Sequence, residues 1–477
     1  MRHDNAHPNP DSRPERAPAN GGAPPPADDA ARRGDAAAGP PASGDPPPAD
    51  DAPPGDSASH GPPGDPPPGE SADASLDPDD HRSLGRRLDL FHFREHAPGM
   101  VFWHPDGFDL HRRLQGAARA MLRAQGYREV ATPQLLRAPV WEASGHWSHF
   151  AGGMIKVAGD GPPAALKPVS CPGHLYIFDR RAPSYRDLPL RLAEFGVVHR
   201  DEPSGTLHGL LRLRQFTQDD GHILCERPSQ AEAEIERFCA ALPRFYRAFG
   251  FADVEVALAT RPADRIGDDA LWDRSEAALA RALDAIGQPY AVHPGDGAFY
   301  GPKIEFTLID RAGRPWQCGT IQFDFHMPRA FNVRYVDRDG ARQLPVMLHR
   351  ALFGSVERFL GILLEHHRGR LPAWLAPTQV AVLPLSIEGQ GAAAEALAAE
   401  LAAAGLRARV DDDGSLARRI RRCHDDGVPL QLILGKRELA AGSVTLRDAD
   451  GQRSLPRDAI LAALGELCRA PAIVDGA

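Results

Sequence analysis

The stretch EFGVVHRDEPSGTLHGLLRLRQFTQDDGHIL, residues 194 to 224, sets two strand-like runs on either side of a polar loop. Arg200 and Glu202 close the first run, and Arg212 and Arg214 open the second. A guanidinium fork pairs with two phosphate oxygens at once, so arginines gathered on a hairpin suit an anionic ligand. A solvated, charged hairpin has the same pattern. The segments around it carry the reading further.

Downstream, LHRALFGSVERFLGILLE (348 to 365) places Gly354 and Ser355 before a helix with Val356, Phe359, Leu360 and Leu363 on its apolar side and Arg358 beside them. Upstream, FDLHRRLQGAARAMLRAQG (108 to 126) reads as a helix with Leu110, Leu114, Ala117, Met121 and Leu122 on one face, stopped at Gly126. A short strand, YREVATP, follows and ends at Pro133. RLAEFGVVHR, RLRQFTQDDGHIL and KIEFTLIDR read as further strands. After LPAWLAPTQ the grammar changes. VAVLPL, GAAAEALAAELAAAG, LRARVD, SLARRIRRC, PLQLILG and SVTLRD alternate strand and helix, which predicts a separate α/β module over about 376 to 470.

The 477 residues leave room for two or three domains. Up to Asp80 the chain is Pro, Ala, Gly and Asp, with five basic and sixteen acidic residues and no Val, Ile, Phe, Trp or Tyr. Such a segment cannot offset its ordering entropy by burial and is expected to be a disordered tail over 1 to 80. The remainder, with 50 basic and 48 acidic residues, is nearly neutral, so charge neither supports nor excludes a nucleic-acid partner. Only four of its basic residues are lysines (Lys156, Lys167, Lys303, Lys436), so a lysine kept within a dense motif, as Lys303 is, becomes a functional candidate. Six scattered cysteines point to reduced thiols and a cytoplasmic location. No run of about 18 apolar residues is present, so no membrane partner is expected, and no apolar signal core follows Met1.

The motifs PGMVFWH, SCPGH, YRDLPLRLAEFG, HRDEPSG, LHGLLRLRQFTQDDGHI, GAFYGPKIEFT, QCGTIQFDF and LPVMLHRALFGSVERF, in this order, resemble the catalytic core of the threonyl-tRNA synthetase family of class II aminoacyl-tRNA synthetases. The likeness runs from about 80 to 470. It implies an α+β fold: an antiparallel-sheet catalytic domain over 81 to 375, then an α/β anticodon-binding domain over 376 to 470. It also implies the reaction, ATP-dependent formation of threonyl-adenylate and transfer to the 3′ end of threonine tRNA, by a homodimer.

Roles follow by the same likeness. Arg200, Arg358 and Lys303 would be catalytic. Arg200, Glu202, Arg212, Phe216, Gln317, Thr320, Ser355 and Arg358 would bind ATP, which brings Mg2+ as its counterion. Asp220, Gln218, Tyr300 and Gln322 would bind L-threonine. For Cys318 a buried thiol is as good a reading as any role.

In KPVSCPGHLYIF, residues 167 to 178, Cys171 and His174 stand three apart, and the residues alone leave open a metal pair, a thiol with its base, or mere neighbours. The family likeness assigns Cys171, His222 and His349 to one Zn2+ per subunit and makes His174 a structural residue. Three protein ligands leave a position open, as catalytic zinc sites do. Such a metal separates threonine from isosteric valine through the hydroxyl, which an apolar pocket does poorly.

Two departures from the family are visible. Bacterial members usually carry N-terminal domains that hydrolyse seryl-tRNA, whereas here only the tail precedes the core, so editing in cis is not expected. In the C-terminal module DDDG (411 to 414), HDDG (424 to 427) and RDADG (447 to 451) are more acidic than the family pattern, which would weaken RNA binding. Arg418, Arg419, Arg421, Arg422 and Arg447 remain as candidate contacts. Two other functions stay open: a paralog that activates threonine for another acceptor or gives inhibitor resistance, and a non-catalytic, synthetase-like binding protein.

Overall fold

The structure, a computed structural model, describes residues 76–473. The tail expected over 1 to 80 lies outside the described residues except for its last five. Asp80 caps the first described helix, His81–Arg87, by accepting the Arg82 N–H.

Helix α1 (Pro105–Ala124) has proline in its first turn and buries Leu110, Leu114, Ala117, Met121 and Leu122, the face expected from their spacing. The strand expected after it shrinks to β1 (Arg128–Glu129). The ladder stops because the chain turns toward other partners: Val130 N still reaches Ala193 O, but Thr132 N donates to the Glu194 carboxylate. Helix α2 (Cys171–Asp179) precedes the long hairpin of β2 (Leu190–His199) and β3 (Gln215–Cys225). Helix α3 (Pro228–Arg247) leads to β4 (Val254–Ala259), then α4 (Asp269–Ala285), β5 (Ala291–His293), β6 (Lys303–Ile309), β7 (Pro315–Asp324), β8 (Val346–Ala351) and α5 (Val356–His367).

These strands form one eight-stranded sheet in the order β5-β4-β6-β7-β8-β3-β2-β1. The inner six are antiparallel, and the two outermost pairings are parallel. Helices α1, α3 and α5 share a single apolar core with the sheet. In α5, Val356, Phe359, Leu360 and Leu363 are fully buried, each contributing on the order of 1.5–3 kcal/mol. That core fixes one side of the central strands and leaves the other to carry polar side chains.

The C-terminal module has its own core. Its strands β9 (Val380–Pro384), β10 (Ala408–Val410), β11 (Leu430–Leu434), β12 (Ser443–Asp448) and β13 (Gly451–Pro456) lie in the order β10-β9-β11-β12-β13, parallel in the first two pairings and antiparallel in the last two. The acidic runs are largely paired within the module. Arg422 binds Asp411 and Asp413, Arg409 binds Asp426, and Arg453 binds Asp448. Arg419 is buried and donates to Pro384 O. Arg419 and Arg422 are therefore engaged inside the module, while Arg418 and Arg421 are exposed.

Candidate active site

Strand alternation decides what the hairpin presents. On β3, Gln218, Asp220 and His222 share one face, and Thr217, Asp219 and Gly221 the other. Beyond the ends of β2 and β3 a cavity of about 340 Å³ is lined by Arg200, Glu202, Arg212, Phe216, Gln218, Gln317, Gly354, Ser355 and Arg358. Arg200 lies over the Phe216 ring, 5.1 Å from its centroid, and Arg212 donates to Glu202 Oε2 at 2.9 Å. Ser355 caps α5 by accepting the Arg358 N–H, which seats Arg358 in the first turn at the cavity wall. Gln218 Oε1 and Arg358 Nε are buried with no hydrogen-bond partner, which is the mark of polar atoms that a ligand completes.

A second cavity, about 120 Å³, shares Arg200 and Gln218 with the first. Its other walls include His146, Cys171, Asp220, Tyr300, Thr320, Gln322 and His349. Asp220 accepts the Ser170 N–H, and Tyr300 donates its hydroxyl to Gln322 Oε1 at 2.6 Å. Cross-strand register brings the histidines together: His349 on β8 stands directly opposite His222 on β3. Cys171, the first residue of α2, adds its sulfur, and the three ligand atoms lie within 4.8 Å of one another.

Proton counting tests whether this cluster suits a cation. His349 Nε2 lies 2.6 Å from Asp324 Oδ2, and His174 Nε2 lies 3.2 Å from Glu194 Oε2, so each of these nitrogens carries the proton its carboxylate accepts. With one proton per imidazole, His174 Nδ1 then accepts from His222 Nδ1, 2.7 Å away. His222 Nε2 and His349 Nδ1 are left with bare lone pairs facing each other at 2.9 Å. Burial, with His349 and His174 close by, holds His222 well below its ordinary pKa, so it is neutral. Two lone pairs at this distance repel unless a cation joins them. Thiol, imidazole and imidazole form a donor set that suits zinc, and both ring orientations are fixed from outside.

The profile of the tRNA synthetase class II core domain (G, H, P, S and T) matches residues 159–367, and that of an anticodon binding domain matches 379–467. The crystal structure of the RNA binding domain of threonyl-tRNA synthetase from Cryptosporidium parvum Iowa II superposes with a TM-score of 0.77 at 38% identity, over 82% of this chain and 99% of that one. This chain belongs to the threonyl-tRNA synthetase family. Among curated relatives, threonine–tRNA ligase of Halorhodospira halophila is 51% identical over 78% of this chain, and that of Dichelobacter nodosus 47% over 80%. The matched part spans 58% and 59% of the length of these two relatives.

As a threonyl-tRNA synthetase family site, the pair of cavities gathers most of the residues expected from the sequence, and two stand differently. Thr320, expected with ATP, lines the smaller cavity beside Gln322. The β6–β7 ladder skips Cys318, and this bulge carries Gln317 into the larger cavity. Lys303 lines neither cavity. Its ammonium lies 2.6 Å from Glu305.

Sequence reasoning missed His146, which lines the smaller cavity and whose pKa is lowered to about 4 by burial, with His349 and Arg200 adding to the effect. It also passed over Lys167. That lysine is buried and donates to Glu194 at 2.8 Å and to Thr132 Oγ1 at 2.9 Å. Lys167 is thus fixed within the fold, while Lys303 remains the candidate that lysine scarcity points to.

Glu194 gives a pH test of this network. Burial alone would raise its pKa, but hydrogen bonds from His174, Lys167 and the Thr132 N–H outweigh burial and lower it to about 2. A carboxyl with a depressed folded pKa adds stability above its unfolded value of 4.5, and that stability is lost as pH falls toward 2. The amount is roughly 3 kcal/mol. Urea unfolding of the protein and of Glu194→Gln from pH 6 downward should therefore give a stability gap that narrows below pH 4.5. A gap of constant size down to pH 3 would contradict the assignment.

Proposed function

We propose that the chain is a threonine–tRNA ligase. The threonine carboxylate attacks the α-phosphorus of ATP, the bond to pyrophosphate breaks, and a hydroxyl of the 3′-terminal adenosine of threonine tRNA then attacks the adenylate carbonyl and releases AMP. The observation that carries this reading is the wall common to the two cavities. Arg200 and Gln218 line both, so a nucleotide in the larger and an amino acid in the smaller would meet at the Arg200 guanidinium.

Each residue then has a task. Arg200 balances charge on the α-phosphate as the carboxylate attacks. Arg358 and Arg212, with Mg2+ as counterion, receive the leaving pyrophosphate and the triphosphate. Phe216 stacks on adenine, and Glu202 orients Arg212 and the base. Asp220 takes the threonine ammonium, while Tyr300 and Gln322 bound the side chain. Cys171, His222 and His349 would hold one Zn2+, whose chemistry is to accept the substrate's amino and hydroxyl groups as ligands. Positioning and fixed charge supply most of the rate. The C-terminal module would contact the tRNA, and the enzyme would act in the cytoplasm as a homodimer. Among the described residues no helix is long and apolar enough to cross a membrane.

Threonine-dependent exchange of pyrophosphate into ATP, followed by charging of threonine tRNA, tests the reading. Both activities are expected. Exchange without charging would assign the chain to another acceptor, and the absence of both would leave a binding protein.

A further inference from the structure

Two aspartates stand side by side in the TQDDGH run, and only Asp220 faces the cavities. Asp219 points to the opposite side of β3, where it is buried. One Asp219 oxygen accepts the N–H groups of Phe353 at 2.9 Å and Gly354 at 3.0 Å, and the other accepts that of Leu352 at 2.5 Å. Arg350 Nη1 adds contacts to the Asp219 carbonyl at 2.9 Å and to its carboxylate at 3.4 Å. Three consecutive amides closing on one carboxylate define the turn that joins β8 to α5. Gly354 in that turn has φ +77°, a conformation glycine takes without strain.

The same turn lines the larger cavity through Phe353, Gly354 and Ser355, one turn of helix before Arg358. A reciprocal contact runs the other way. Glu357, in the first turn of α5, accepts the N–H of Thr217 on β3 at 2.8 Å, while its second oxygen meets His111 of α1 at 3.0 Å. Carboxylates thus cross between β3 and the start of α5 in both directions. The neighbouring position on β3, Gly221, leaves space that Arg350 fills: a Cβ there would lie 2.3 Å from its guanidinium.

We propose that Asp219 is a positioning residue for the nucleotide phosphates: it holds the 352–354 turn on β3 and thereby keeps Arg358 in register with Arg200 across the larger cavity. This rests on the reading of that cavity as an ATP site. Asp219 touches no substrate, and its contacts lie on the far side of the strand from Asp220 and His222. Its effect should fall on the end of the nucleotide that reaches α5, and leave adenosine, amino acid and metal unaffected.

Calorimetric titration of the whole protein with ATP, adenosine and threonine, together with zinc content, tests the proposal. In Asp219→Asn an uncharged amide faces three N–H donors, and ATP binding should weaken about 10- to 100-fold. Adenosine affinity, threonine affinity and zinc content should change by less than about twofold. ATP binding within twofold of the unmodified protein would overturn the proposal, as would equal losses for all four ligands, which mark a merely structural role. If Asp219→Asn does not fold, Glu357→Gln breaks the reciprocal contact and carries the same expectation. Binding is read without turnover, so a protein that binds ATP normally but charges no tRNA refutes the ligase reading and not this one. Failure of the unmodified protein to bind ATP refutes both.

Discussion

Arg200→Ala should abolish threonine-dependent pyrophosphate exchange, lowering its rate by about 10³-fold. The size follows from position. Arg200 follows the last residue of β2 at the wall shared by the two cavities, packed over Phe216 and, at 5.8 Å, over Phe150. Its Nε makes a single long contact, 3.4 Å to Pro168 O, so most of its donors are free to serve a phosphate. Charge that develops where two substrates meet is best balanced by a group already in place, which costs no reorganisation as the charge forms. The loss should appear in the rate at saturating ATP and threonine, with zinc content unchanged. Arg200→Lys should recover little, since a point charge does not reproduce the fork. Exchange within tenfold of normal in Arg200→Ala would place the reacting phosphate elsewhere.

The second large effect is on selectivity. Cys171→Ala should take the metal from one zinc per chain to none and should let valine compete. A site that demands the hydroxyl rejects an isostere lacking it by about 10⁴-fold, whereas an apolar pocket manages about 10²-fold. The threonine-to-valine ratio of pyrophosphate exchange should fall accordingly, by about 10²-fold. His222→Ala should do the same. His174→Ala is the informative control. His174 fixes the tautomer of His222 without reaching the metal position, so this variant should retain zinc but bind it about 10- to 100-fold more weakly. A chelator titration separates the three variants. If His174→Ala lost zinc as completely as His222→Ala, it would be a ligand and not a support.

How much of this was legible in the sequence depends on the range of each interaction. The helices α1 and α5 are written in their apolar periodicity, and the hairpin β2–β3 in its two apolar runs around a polar loop. The likeness to the family then supplied the arginines. The proposed metal ligands were not readable from spacing, because His222 and His349 are 127 residues apart and become neighbours only through the register of β3 with β8. His174 shows the opposite case. Its closeness to Cys171 in sequence was a distraction, and its place between His222 and Glu194 depends on how α2 lies against β2 and β3.

Other placements have equally local causes. His146 belongs to a four-residue helix, His146–His149, too short to show any period. Thr320 and Gln317 are three apart on one strand and would face opposite ways on a regular ladder; a bulge no simple pattern announces carries both into cavity walls. Asp219 was within reach, since alternation alone sends adjacent aspartates to opposite faces. A second cluster, Asp80, His81 and Glu365, gives the contrast. There His81 Nε2 accepts the Leu210 N–H and Nδ1 donates to Glu365, so every lone pair is answered and no cation is called for.

The two-sidedness of β3 constrains its length as strictly as its composition. Deleting one residue between Gln215 and His222 would turn the strand inside out from that point. His222 would then face the apolar helices, and the Asp219 carboxylate that holds the β8–α5 turn would open into the cavities. Natural or engineered variation in this segment should therefore proceed by substitution alone, and a library of single-residue insertions and deletions should find almost no survivors there. The exposed turn at residues 203–205, which lines neither cavity, should accept changes in length far more readily.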